Sequence, residues 1–310
     1  MTSLRLATRG SDLALTQSRG VARRIERELG WTVELVTIKT TGDRILDRSL
    51  AKVGGKGLFV KELEEALLAG RADLAVHSAK DLPAEVPEEL ALVAHPERAD
   101  ARDALIARTR GASLDDLPRG ARVGTGSVRR AAQLLAHRPD LAVVPLRGNV
   151  PTRLRKLEEE DLDAVVLACA GLDRLGLSDR IDQRIPPEIL LPAVAQGILA
   201  LQARRDDPVG AELARLSCPL AAAAIAAERS LLKGLEGDCT VPLAAFADES
   251  APGRLRLRAL LASSDGSQLL RHESEVPAAD GAAAGAAAAA AIRARGGDAL
   301  LAELAREAGG

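Results

Sequence analysis

Residues 4–38, LRLATRGSDLALTQSRGVARRIERELGWTVELVTI, decide the fold. Leu4 and Leu6 alternate as a half-buried strand does, and Ser11 with Asp12 then offers a helix N-cap. Val21, Ile25 and Leu29 recur on one helical face before Gly30, so the spacing predicts a helix that stops there. Val33, Leu35 and the run to Ile38 predict a second strand. Working outward, Phe59, Leu63 and Leu67 mark a second helix ended by Gly70, and Asp73 to His77 a third strand. Alternation of this kind predicts a parallel α/β sheet. The series restarts after the polar stretch Pro96 to Arg102. Strands are expected at Ala104 to Ala107, Ala121 to Thr125, Leu141 to Leu146 and Asp163 to Ala168, with helices at Val128 to Ala136 and from about Thr152. This predicts a second α/β unit.

The remaining segment reads differently. Leu220 to Leu235 is an alanine-rich helix, and Arg254 to Leu260 alternates Arg with Leu, as in an antiparallel sheet with one wet face. Ala282 to Ala291 is low in complexity, but alanine is the best helix former and Ile292, Leu300, Leu301 and Leu304 supply a stripe. A chain of 310 residues has room for two such domains or three.

Composition removes several function classes. Lys and Arg number 42 against 44 Asp and Glu, a net charge of −2, so nothing global attracts nucleic acid or an anionic membrane. Aromatic residues make up 1%, which leaves no platform for base stacking. Arg5 and Arg9 interrupt the first residues before any apolar run of signal length, and no apolar run reaches about 18 residues, so a cytoplasmic protein with no membrane span is expected. Cys169, Cys218 and Cys239 are widely spaced and the four histidines show no ligand spacing, which argues against a disulfide framework and a metal site.

Four strand-to-helix turns carry cations: Thr8-Arg9-Gly10-Ser11, His77-Ser78-Ala79-Lys80-Asp81, Gly124-Thr125-Gly126-Ser127-Val128-Arg129-Arg130, and Arg147-Gly148-Asn149-Val150-Pro151-Thr152-Arg153. Such turns lie at the carboxyl ends of strands, where α/β sheets bind ligands. Arginine in a first helical turn opposes the helix dipole, a cost that an anion reverses. With the hydroxyls of Thr125 and Ser127 they predict a polyanion cradle; pairing of each arginine with a nearby surface carboxylate is the alternative. Neither a P-loop nor a dinucleotide fingerprint fits. Asp47 to Leu58, rich in glycine and bearing Lys52 and Lys56, is either a lid or a solvated linker. Asp81 is either an acid, base or cation-stabilising carboxylate or a helix cap, and His77 reads as a packed strand-end residue. Cys239 lies in the polar turn Leu235-Glu-Gly-Asp-Cys-Thr-Val-Pro242, where a thiol is accessible, whereas Cys169 ends an apolar strand and Cys218 shows no role.

Several of these stretches together resemble the porphobilinogen deaminase (hydroxymethylbilane synthase) family over essentially the whole chain. They are Ala51 to Leu63 (AKVGGKGLFVKEL), His77 to Asp81 (HSAKD), Val123 to Arg130 (VGTGSVRR), Leu146 to Val150 (LRGNV), Leu191 to Gly197 (LPAVAQG) and the Glu-Gly-x-Cys turn. The resemblance implies two α/β domains of the type II periplasmic-binding-protein kind, with the chain crossing back to the first, and a C-terminal α+β domain with a small antiparallel sheet. The corresponding boundaries are 1–97 with 195–216, 98–194, and 217–310. It implies a dipyrromethane cofactor held by a thioether to Cys239, and a cytoplasmic monomer. The implied reaction joins four porphobilinogen molecules head to tail on that cofactor with loss of ammonia. Water then releases hydroxymethylbilane for tetrapyrrole biosynthesis.

Carried over by motif, Asp81 would be catalytic. Lys80, Thr125, Ser127, Arg129 and Arg130 would hold the cofactor beside Cys239 and Asp81. Arg9, Ser11, Gln17, Phe59, Arg147, Arg153, Arg174 and Gln196 would bind substrate, beneath a loop bearing Lys52 and Lys56. Three departures stand out: Gly126 where Ser is frequent, Pro151 where Gly is common, and Asp238 in place of the second Gly of Glu-Gly-Gly-Cys. A non-catalytic solute-binding or effector-sensing module on the same fold is the competing reading, because fold alone does not set function.

Overall fold

The computed structural model describes residues 3–40, 60–238 and 240–309. The opening unit forms as its pattern dictates. Strand β1 (Ser3–Arg9) buries Leu4 and Leu6, and helix α1 (Asp12–Leu29) starts where Ser11 accepts the Ala14 N–H. The helix stops where Gly30 turns left-handed at φ 69°. Strand β2 (Thr32–Ile38) lies parallel to β1, Leu4 opposite Val33. Helix α2 (Lys61–Leu68), strand β3 (Leu74–Ser78) and strand β4 (Leu90–Ala94) follow.

The first sheet has the order β2-β1-β3-β10-β4, where β10 is Leu199–Arg204. The second repeats the plan as β7-β6-β8-β5-β9, from β5 (Asp103–Ala107), β6 (Arg122–Thr125), β7 (Ala142–Pro145), β8 (Ala164–Ala168) and β9 (Gln183–Ile185). Its helices are α3 (Val128–His137), α4 (Val150–Glu159) and α5 (Cys169–Arg174). In each sheet the first three strands are parallel, as the strand-helix alternation requires. The inserted strands correct the all-parallel expectation: β10 runs antiparallel to β3 and β4, and β5 antiparallel to β8 and β9. Both are strands at which the chain crosses from one sheet to the other, and such long-range pairing leaves no local period.

After α6 (Pro208–Leu213) and α7 (Pro219–Gly234), strands β11 (Leu243–Ala251), β12 (Arg254–Ala262) and β13 (Leu269–Pro277) make a separate antiparallel sheet. Leu255 and Leu257 are buried on one face, and the arginine face is wet only at its Arg254 and Arg256 end, since Arg258 is 12% exposed over the Phe246 ring and Leu260 beyond it is buried. The alanine-rich segment is helix α8 (Gly281–Ile292), followed by α9 (Asp298–Gly309). By contact density the chain divides into two compact units, Met1–Ala99 with Ile198–Ala222, and Asp100–Gly197 with Ala223–Gly310. Among the described residues no single helix is long and apolar enough to cross a membrane.

Candidate functional site

In the first unit, two sheet-end turns are stitched to α1. Buried Gln17 donates from Nε2 to Ser78 Oγ at 3.0 Å, and Ser18 donates to Thr8 Oγ1 at 2.7 Å. Ser11 spends its hydroxyl on the helix cap. Lys80 and Asp81 lie exposed in the one-turn 3-10 helix Ala79–Asp81. Asp81 ends that turn and precedes no helix, so the cap alternative falls away. No described residue bonds or pairs with its carboxylate.

Beneath the turn, His77 is packed as expected, 5% exposed, with Nε2 2.8 Å from Gln202 Oε1, and Gln202 Nε2 lies 2.9 Å from Glu64 Oε1. Burial, with the nearby Arg9 charge adding to it, pulls its pKa down to about 4, so the ring is neutral at pH 7. Unfolding returns it to its ordinary value near 6.5, and below that pH the unfolded chain takes up a proton that the folded chain refuses. Stability should therefore drop by about 3 kcal/mol between pH 6.5 and pH 4 on account of this group. Denaturant midpoints at several pH values should show a shallower slope in His77→Gln; an unchanged slope would refute the assignment.

The second unit holds the other turns. Thr125 Oγ1 accepts the Ser127 N–H at 3.3 Å and Ser127 Oγ accepts the Arg130 N–H at 3.4 Å, so both hydroxyls shape the entry into α3. Gly126 passes so close to Leu146 that a Cβ there would sit 2.5 Å from its carbonyl oxygen, which accounts for glycine in place of serine. Asn149 caps α4 by accepting the Thr152 N–H at 2.9 Å, and Pro151 occupies its first turn without loss of a bond. Arg153 Nε donates to Gly148 O at 2.7 Å, and Arg147 lies half-buried before it.

Arg129 and Arg130 pair with a carboxylate, but a buried one and not the nearby surface carboxylate of the alternative reading. They are 4% and 5% exposed and converge on Asp103, which is fully buried. Arg129 Nη2 and Arg130 Nη2 each lie 2.7 Å from one of its carboxylate oxygens, and Gln196 Nε2 donates to it at 2.9 Å and to Ala101 O at 2.7 Å. Arg129 also donates to Leu191 O and Arg130 to Val166 O. Burial alone would raise the Asp103 pKa; the two guanidiniums override it and hold the carboxyl well below the usual range. The reason is topological: β5 carries Asp103 under a turn 26 residues further along the chain.

Arg174, at the end of α5, is bound differently. Its Nη2 donates to Gly197 O at 2.8 Å, but no described carboxylate pairs with it, because neighbouring Asp173 is held by Arg184 at 2.7 Å. Burial pulls its pKa down to about 10, against the pull of Asp173. Cys169 is buried and its thiol pushed up to about 12 by burial, which makes it inert. Cys239, Phe59, Lys52 and Lys56 lie outside the described residues. Sequence reasoning missed Asp103, Glu228, Gln133 and Gln202. The signal available for the first two was an acid opening or interrupting an otherwise apolar run: Asp103 before Ala-Leu-Ile-Ala, and Glu228 inside the alanine-rich helix, where it accepts the Ala195 and Ala247 N–H groups.

Two mixed α/β sheets carry capped, arginine-bearing turns at their strand ends, the positions at which α/β sheets bind ligands. A family model described as "Porphobilinogen deaminase, dipyromethane cofactor binding domain" matches residues 4–212, and "Porphobilinogen deaminase, C-terminal domain" matches residues 222–294. The porphobilinogen deaminase of Pelobacter propionicus is 49% identical over 303 residues, covering 97% of each chain. That of Syntrophotalea carbinolica is 50% identical over 304 residues, 97% of this chain and 96% of its own. Among solved structures, the periplasmic aliphatic sulphonate binding protein SsuA from Escherichia coli aligns with 76% of this chain and 71% of its own, at 14% identity and a TM-score of 0.42. The chain belongs to the porphobilinogen deaminase family.

Proposed function

We propose that the chain is a transferase that condenses porphobilinogen stepwise into hydroxymethylbilane on a dipyrromethane cofactor attached through Cys239. The observation that carries the site assignment is Arg174, a partly buried guanidinium with a carbonyl partner and no counter-charge among the described residues. Withdrawing a cation from water without a counter-ion is costly, and a ligand carboxylate relieves that cost. Porphobilinogen and dipyrromethane bear acetate and propionate arms, so the donor set fits both. When bound, the cofactor supplies the terminal pyrrole to which each new unit joins. Arg174, Arg147 and Arg153 grip ring carboxylates, with Arg9, Ser11, Gln17, Gln196, Phe59, Lys52 and Lys56 as further substrate contacts. Arg129, Arg130, Thr125, Ser127 and Lys80 form the cofactor side, where Asp103 fixes the two arginines. Asp81 holds pyrrole N–H groups and stabilises positive charge as ammonia leaves. A cytoplasmic monomer with no nucleic-acid or membrane partner, and 217–310 as the segment carrying the cofactor cysteine, complete this reading.

Asp81→Asn keeps shape and hydrogen-bonding capacity but removes the charge. Turnover should fall roughly a hundredfold or more with little change in KM, since the interaction is made in the transition state; near wild-type turnover would reduce Asp81 to a surface carboxylate. For Arg174→Lys, the planar two-point grip is lost although the charge stays. The ladder of covalent enzyme intermediates, followed by mass spectrometry after limiting porphobilinogen, should stall at one chain length. The affected step should slow about tenfold, the value of one charge-assisted bond. An unchanged ladder would sink the role of Arg174.

A further inference from the structure

Glu236 has a left-handed backbone, φ 50°, just past the end of α7. The Glu236 N–H bonds the Lys233 carbonyl and the Gly237 N–H the Leu232 carbonyl, both at 3.1 Å, the paired closure that places a left-handed residue after a helix. Glycine fills that position without strain, so the glutamate holds its side chain there at a backbone cost. Its Oε1 accepts from Arg293 Nη2 at 3.1 Å, and Nε of the same guanidinium donates to the Gly234 carbonyl at 2.9 Å. Arg293 directly follows α8 and also pairs with Asp298 at the start of α9. One guanidinium thus ties the end of α7, the turn beyond it and the start of the last helix.

The next residues are equally constrained. A Cβ on Gly237 would lie 2.8 Å from Leu243 Cδ2. Asp238 Oδ1 accepts both the Thr240 N–H at 2.8 Å and the Thr240 hydroxyl at 2.5 Å, so the carboxylate that departs from the family pattern is engaged in the turn. We infer that Arg293 is a positioning residue for cofactor attachment: through Glu236 and Gly234 it fixes the turn from which the chain enters Cys239. This rests on the assignment of Cys239 as the attachment cysteine. The Glu236 side chain is 85% exposed and that of Arg293 31%, and pairs so exposed contribute little to stability, so the consequence should be seen in attachment rather than in melting.

The test uses full-length chain prepared without cofactor, from cells starved of porphobilinogen, as wild type, Arg293→Met, Glu236→Gly and the double variant. Porphobilinogen is added, the mass gain of two pyrrole units at Cys239 is followed in time, and Tm is recorded in parallel. Glu236→Gly sets the two effects against each other, since relief of backbone strain alone would not slow attachment whereas loss of the carboxylate contact should. Each single variant should gain the adduct three- to tenfold more slowly than wild type at a Tm within a few degrees of it. The double variant should be no slower than either single, the signature of a shared contact. Rates within twofold of wild type, or faster attachment in Glu236→Gly, would overturn the positioning role. A wild-type chain that gains its adduct at a residue other than Cys239 would overturn the attachment assignment and this proposal with it.

Discussion

Cys239→Ser should purify as a folded protein with no two-pyrrole adduct and no detectable turnover. The neutral hydroxyl of serine is a far poorer nucleophile than a thiolate, so the covalent link that retains the growing chain fails to form. The controls are built into the molecule. Cys169 is buried with its thiol pushed up to about 12, and Cys218 sits at the start of α7, so Cys169→Ala and Cys218→Ala should keep the full adduct and near wild-type turnover. Intact mass reads all three variants. An adduct retained by Cys239→Ser and lost by Cys169→Ala would move the attachment site to the start of α5 and overturn the reading of the C-terminal segment.

Asp103→Ala should be the most destabilising single substitution outside the apolar core. It leaves Arg129 and Arg130 buried beside one another with no counter-charge, and breaking a buried ion pair from one side costs about 3–5 kcal/mol. Urea midpoints at pH 7 measure this directly. Because the folded state holds the Asp103 carboxyl below its ordinary range, its contribution is complete above about pH 4 and is lost only as pH falls toward the depressed folded value. Replacing the whole triad, Asp103→Leu with Arg129→Met and Arg130→Met, should recover much of the stability, since apolar residues of similar volume substitute well for buried ions. Activity should not return, because on the proposed reading the two arginines also face the cofactor. A triple variant with restored turnover would confine Arg129 and Arg130 to a structural role; a stable Asp103→Ala would show that the triad is not buried as described.

Local features were legible wherever the determinant lay within one element. The period of Val21, Ile25 and Leu29, the cap at Ser11 and the stop at Gly30 set α1 without help from elsewhere. Alternating Arg and Leu fixed which side of β12 carries the arginines, although the covering of that side at Arg258 and Leu260 came from packing elsewhere in the fold. The alanine run became α8 because helix propensity and small side chains agree. The motifs that carry the family resemblance are likewise continuous stretches, which is why the family could be reached from sequence and the comparisons agree with it.

What sequence alone determined, then, is the opening strands and helices of each α/β unit, the alanine-rich helices, β12, the basic turns and the family, whereas β4, β9, β10, β11 and β13 went unread. The tertiary structure decided the direction of β5 and β10, whose partners lie far along the chain, and therefore the mixed character of both sheets. It decided that Arg129 and Arg130 turn inward to Asp103 while Arg174 has no carboxylate partner among the described residues, a distinction invisible in a list of arginines. It also showed Glu236 strained and gripped by Arg293, 57 residues away. The physical reason is common to these cases. Helix periods, caps and strand alternation are set by neighbours within a few residues, whereas the partner of a buried charge is chosen by which distant strand or helix the fold brings beside it.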